Sequence, residues 1–168
     1  MSQRERMLGR RIPPTPVVIR VDFGPDADEA FAAHEAALRD LNFAESRGAD
    51  LDAARDRVAE TKDNLDPFQE VLYVSALPPA VYDELIGEHP PTDEQRTRNY
   101  QWDPQTFAPA LLAACIGQEL PDEERMSEKD WTDWASISSA TVNGEFVTLV
   151  NTCLAVNDRA INVNVGKG

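Results

Sequence analysis

Few residues in this sequence have the types and spacing that chemistry requires. There are two histidines, His34 and His89, and neither is joined by cysteine or carboxylate at metal-ligand spacing. His34 lies on an apolar helical stripe, and His89 lies at a proline-flanked helix end. Cys115 and Cys153 are the only cysteines. Both sit inside apolar helical patterns, which argues for two buried free thiols. A disulfide between them stays open at this stage, although a cytoplasmic setting disfavours one. Asp26, Asp28 and Glu29 cluster, but acids at a helix start complement the partial positive charge of its free N–H groups. Asp63-Asn64-Leu65-Asp66 lacks the turn glycine and terminal glutamate of a calcium loop and reads as a helix end. CxxC, HExxH, GxSxG and a glycine-rich phosphate loop are all missing from the sequence. No catalytic residue, metal ligand or cofactor is therefore assigned, and the expectation is a non-enzymatic binding protein.

The elements that position these residues follow from the change of period along the chain. Residues 1–15 read as a flexible basic arm running into Pro13-Pro14-Thr15-Pro16. Val17 to Phe23 is a β-branched run stopped by Gly24-Pro25, a strand with its terminator. From Asp26 apolar residues recur at helical spacing (Ala27, Phe31, His34, Leu38, Leu41), Gly48 breaks the pattern, and Leu51, Ala54, Val58 and Leu65 continue it. Residues 26–65 are thus a helical hairpin with narrow, alanine-rich stripes. A second strand at 69–76 is expected to pair antiparallel with the first, so that the hairpin is inserted between them. A short helix follows Pro78-Pro79 and stops at His89-Pro90-Pro91. Residues 92–103 read as a loop. A strongly apolar helix covers Phe107–Ile116, capped by Thr106 so that Pro109 falls in the first turn. Ser127 to Asp130 is close to a capping box and opens a helix carrying Trp131 and Trp134. The last helix runs from Val142 to Asn157, and Arg159 to Gly168 reads as a tail.

The expected fold is α+β and mainly helical: a small antiparallel β element, an inserted hairpin and a C-terminal helical bundle. It forms one domain over 16–160, with 161–168 as a flexible tail. A length of 168 residues is enough to bury a core without staples.

Charge narrows the partners. The net charge is −14 and the sequence pI about 4.4. Residues 1–20 hold five arginines against Glu5, a balance of +4, so the remaining 148 residues carry −18. A body this acidic repels phosphate backbones and anionic membranes; the basic N-terminus could touch either but reads as a short disordered tail, so neither is expected as a partner. No apolar run approaches the length of a membrane span. The start, MSQRERMLGRR, has no apolar stretch after its charges and does not read as a signal peptide. Cytoplasmic residence is the expectation.

Three blocks carry a resemblance. They are EVLYVSALPPAVYDELIGEHPPTDEQ at 70–95, W-D-P-Q-T-F-A-P-A-L-L-A-A-C at 102–115, and an acidic-aromatic helix from Met126 to Trp134 followed by GEFVTLVNTCLAVNDR at 144–159. In order and spacing the chain resembles, over roughly residues 68–160, the tail assembly chaperones of long-tailed bacteriophages that infect actinobacteria. The resemblance implies a protein that coats the tape measure protein in the host cytoplasm before tail subunits polymerise. It also implies a minor long form, made by a programmed −1 frameshift, that recruits the major tail protein. The end, Val165-Gly166-Lys167-Gly168, can be encoded by a slippery run. A helical client fits best in a groove between apolar helices. The richest apolar faces assign that groove to Phe107, Leu111, Ile116, Trp131, Trp134, Phe146, Leu149 and Val150, with at least one tryptophan kept for the core. The rival readings are a tail completion or connector protein of the virion and an acidic nucleic-acid mimic.

Overall fold

A computed structural model describes residues 12–137 and 143–162. The fold is α+β and mainly helical. Strands β1 (Thr15–Arg20) and β2 (Gln69–Val74) form a two-stranded antiparallel sheet. The Val21 amide donates to the Phe68 carbonyl at 2.9 Å. That bond sets the register, with Ile19 opposite Glu70 and Val18 opposite Val71. Alternation follows: Ile19 is buried, whereas Val18 and Val71 share the exposed face. β1 starts and ends earlier than the β-branched run suggests. The Asp22 carboxylate accepts the Gly24 amide at 2.7 Å, an Asx turn that bends the chain away from the strand path.

Between the strands lie α1 (Pro25–Ser46) and α2 (Asp52–Asp63). Pro25 opens α1, Asp26 and Asp28 occupy its first turn, and Gly48 makes the reversal at φ +63°. The two helices pack on each other along a thin seam. Ala27 and Ala37 are buried, and Phe31, His34, Leu41 and Ala44 are half-buried. Leu51, Ala54, Val58 and Thr61 face them from α2 and its start, followed by buried Leu65. Arg20 anchors the hairpin's base. It pairs with Asp28 at 2.6 Å, and its guanidinium lies 4.5 Å from the Phe31 ring centroid and 4.6 Å from that of Phe23.

The chain divides into two compact units, Val18–Val71 and the remainder, and the division passes through both strands. The larger unit is a helical bundle of α3 (Pro79–Glu88), α4 (Asp93–Thr97), α5 (Pro104–Cys115), α6 (Glu128–Ile137) and α7 (Asn143–Asn162). α5 is its centre and packs against α3, α6 and α7. Phe107, Leu111, Leu112 and Cys115 are buried on it, with Tyr82, Trp131, Leu149, Cys153 and Val156 around them. Just beyond α5, Ile116 bridges to Val74 of β2, and the Ser75 amide donates to the Cys115 carbonyl at 2.8 Å.

Three expectations are corrected by the structure. The stretch 92–103 is not all loop: Thr92 and Gln95 form a complete capping box that starts α4. α5 begins at Pro104, not after Thr106, because Asp103 caps it by accepting the Gln105 amide at 3.0 Å. Pro109 therefore sits inside the helix, where its ring removes the bond to the Gln105 carbonyl. Gln105 is exposed, so water can serve that carbonyl. α7 continues to Asn162, past the expected end at Asn157, so residues 159–162 are helical rather than tail. The arm at 1–11 and the Gly166-Lys167 end lie outside the described residues. Among the described residues no helix is long and apolar enough to cross a membrane.

Candidate functional site

The aromatic and aliphatic side chains expected to line a client groove converge at α5, α6 and α7, but mostly as core. Phe107, Leu111, Ile116, Trp131 and Leu149 are all buried. The groove expected between α5 and α7 is filled by their mutual packing. The physical reason is that apolar area at helical spacing is drawn to the nearest apolar face, here that of the same chain. Phe107 shows the point. Its ring meets Trp102 at a centroid distance of 4.8 Å, Tyr82 at 6.3 Å and His89 at 6.1 Å. The W-D-P-Q-T-F block is thus a cap followed by a core aromatic.

The other three expected groove residues remain reachable. Trp134, Phe146 and Val150 are half-buried, and Val147 beside them is 51% exposed. Trp134 meets Trp131 edge-on at 5.6 Å and Phe146 at 6.3 Å. α6 is held in place by the Ser127–Asp130 box. The Ser127 amide donates to Asp130 at 2.8 Å, and the Asp130 amide donates back to the Ser127 hydroxyl at 3.2 Å. The bonds from Ser127 hold the Asp130 carboxyl below its usual range. The accessible apolar edge is therefore the seam where α6 and α7 meet. The Trp131 Nε1–H has no acceptor among the described residues.

The larger unit also holds a buried polar node that the residue types do not announce. Asn157, 1% exposed, donates through Nδ2 to the Cys153 carbonyl at 2.8 Å and to Cys115 Sγ at 3.4 Å. Its Oδ1 accepts the Leu77 amide at 2.8 Å. A signal for it exists in the sequence: Leu149, Cys153 and Asn157 recur every four residues, so a polar group falls on the apolar stripe. Both cysteines are free thiols and fully buried. The Cys115 thiol is lowered, chiefly by the hydrogen bond from Cys153, with Asn157 adding to it. The Cys153 thiol, donor in that pair and buried, is raised. Tyr82 is pushed up to about 12 by burial first and then by Asp158.

The histidines and acids have structural surroundings. His34 Nδ1 lies 3.0 Å from the Thr61 hydroxyl, which itself donates to the Arg57 carbonyl at 2.9 Å. This contact joins the two helices across the hairpin seam, and the imidazole tautomer sets which partner donates. Asp28 is the partner of Arg20. Among the described residues no group of three or more His, Cys, Asp or Glu side chains is placed to hold a metal ion.

No family model, no curated protein and no solved structure matches this chain.

Proposed function

We propose that this protein is a tail assembly chaperone of a long-tailed bacteriophage, working in the host cytoplasm by binding the tape measure protein before the tail tube polymerises around it. The observation that carries this reading is an apolar edge, made of Trp134, Phe146, Val147 and Val150, on a chain with a net charge of −14. Apolar side chains give the contact area, and the surrounding acids keep a complex with a partly apolar client soluble. The order of the three blocks supports the phage assignment. Each block contributes helices to the one bundle that builds this edge. In this reading the client is a helical segment laid along the α6–α7 seam, contacting side chains that the bundle only half covers.

The test is co-expression with the tape measure protein. Wild type should raise the soluble fraction of the client, and Val147→Asp should remove that gain while leaving the helical content intact. If the client is equally soluble alone, the proposal is wrong. A chaperone should also be missing from purified particles, whereas a connector or completion protein should be present. The long form that reaches the major tail protein is read from the gene. An open −1 frame past a slippery run at the Gly166-Lys167 codons supports it, and a closed frame removes it.

A further inference from the structure

Two nucleophilic side chains meet in the larger unit, at the Cys115–Cys153 pair. The pair is separate from the apolar edge, and its chemistry is independent of the chaperone function. Cys115 closes α5, and Cys153 lies in α7. Cys153 and Asn157 lie one turn apart on the buried face of α7, and the Cys115 sulfur of α5 rests against that turn. Asn157 steadies both, with Nδ2 3.4 Å from Cys115 Sγ and 2.8 Å from the Cys153 carbonyl. Two thiols that only fill space need no amide donor aimed at one sulfur. Here the amide is aimed at the Cys115 sulfur and not at that of Cys153, so the two thiols are not equivalent.

We propose that Cys115 and Cys153 are an oxidative modification site: a dithiol that closes to a reversible disulfide between α5 and α7 when the chain meets a low-molecular-weight disulfide. In the first step the Cys115 thiolate attacks one sulfur of the small disulfide. An S–S bond forms at Cys115, and the other small thiolate leaves. In the second step Cys153 gives its proton to solvent and attacks Cys115 Sγ, expelling the second small thiolate. The protein loses two protons, one from each thiol, and two electrons, and the small disulfide takes them up as two thiols. Cys115 is the first nucleophile because the Asn157 amide aimed at its sulfur stabilises the thiolate, in line with the lowered Cys115 and raised Cys153 thiols. Both sulfurs are fully buried, so reagent reaches them only through local opening at the α5–α7 contact. Closing the bond ties α5 to α7.

The experiment uses the full chain, folded, with oxidised glutathione as the probe, followed by alkylation in denaturant and intact-mass measurement. The expected product is an unalkylated monomer about 2 Da lighter than the reduced chain, restored by dithiothreitol. Its Tm should lie roughly 5–15 °C above that of the reduced form, because the cross-link closes a long loop. At equal glutathione poise, disulfide formation in the folded chain should exceed that in the urea-unfolded chain by on the order of tenfold or more. Cys153→Ser should stop at the mixed disulfide on Cys115, and Cys115→Ser should leave Cys153 unmodified under the same exposure. The proposal is overturned if wild type ends with two alkylatable cysteines, with a persistent glutathione adduct or with an intermolecular dimer. Equal formation in folded and unfolded chains also overturns it. These deciding readouts are made on wild type, so poor folding of a variant cannot obscure the result.

Discussion

The inserted hairpin and α5 solve the same problem with very different resources. α1 has 22 residues and buries two of them, Ala27 and Ala37, and α2 buries none of its 12. α5 has 12 residues and buries seven, from Phe107 to Cys115. Alanine removes little area from water, so the hairpin is held by close approach, by the His34–Thr61 bond and by Arg20 at its base. α5 is held by bulk, and the same bulk lets it keep an internal proline. A helix with that much buried area can offset the roughly 3 kcal/mol that an interior proline costs. Helix length therefore says little about which helix the fold depends on.

This contrast can be broken by substitution. Leu111→Ala should have the largest effect, about 2–5 kcal/mol, because it opens a cavity in a fully packed site. Leu38→Ala, on the exposed side of α1, should change stability by less than about 1 kcal/mol. Urea melts of the two variants decide it, and equal losses would mean that the hairpin is not the lighter structure. Hydrogen exchange sharpens the same point. Amides of α5 should exchange only with global unfolding, and those of α1 and α2 by earlier local opening. A hairpin more protected than α5 would reverse the comparison.

Next in size is a pH effect confined to the bundle. Tyr82 has its pKa raised to about 12, above its ordinary value of 10.0. Its neutral phenol therefore contributes stability that is fully present below pH 10 and is lost as the pH rises toward 12. Tyr82→Phe should flatten that alkaline decline in a Tm-versus-pH series. An unchanged slope would assign it elsewhere.

Smaller still is Asp103→Ala. Asp103 caps α5 and also accepts from Gln95 at 2.9 Å, so the loss should be about 1–2 kcal/mol. The smallest effect belongs to the hairpin's surface. The Glu35–Arg39 pair is 3.6 Å apart with both side chains mostly exposed, and a double-mutant cycle should return no more than about 0.5 kcal/mol.

Much of the architecture is legible in the sequence because period and punctuation agree. Val17-Val18-Ile19, Gly24-Pro25 and Gly48 mark a strand, a helix start and a reversal, and the structure has each of them. α4 escapes a reading by period although Thr92 and Gln95 spell its cap, because five polar residues show no apolar stripe to notice. The start of α5 is misplaced when Pro109 is given more weight than the Asp103-Pro104 pair, itself a cap followed by a first-turn proline. The candidate binding face is the least legible part. A core side chain and a client contact need the same chemistry, and spacing alone cannot separate Leu149, which is buried, from Phe146 and Val150 on the same stripe, which are half-buried. Only the partner helices decide that, and they come from distant sequence.

The bond between the Leu77 amide and Asn157 spans 80 residues of chain. During synthesis at about 5–20 residues per second, Leu77 waits roughly 4–16 s before Asn157 has been made. Through that interval the Leu77 amide lacks its acceptor, and α5, once made, lacks the helix that packs on it. The interval is a window in which a nascent chain is exposed to misassembly, and α7 is the event that ends it.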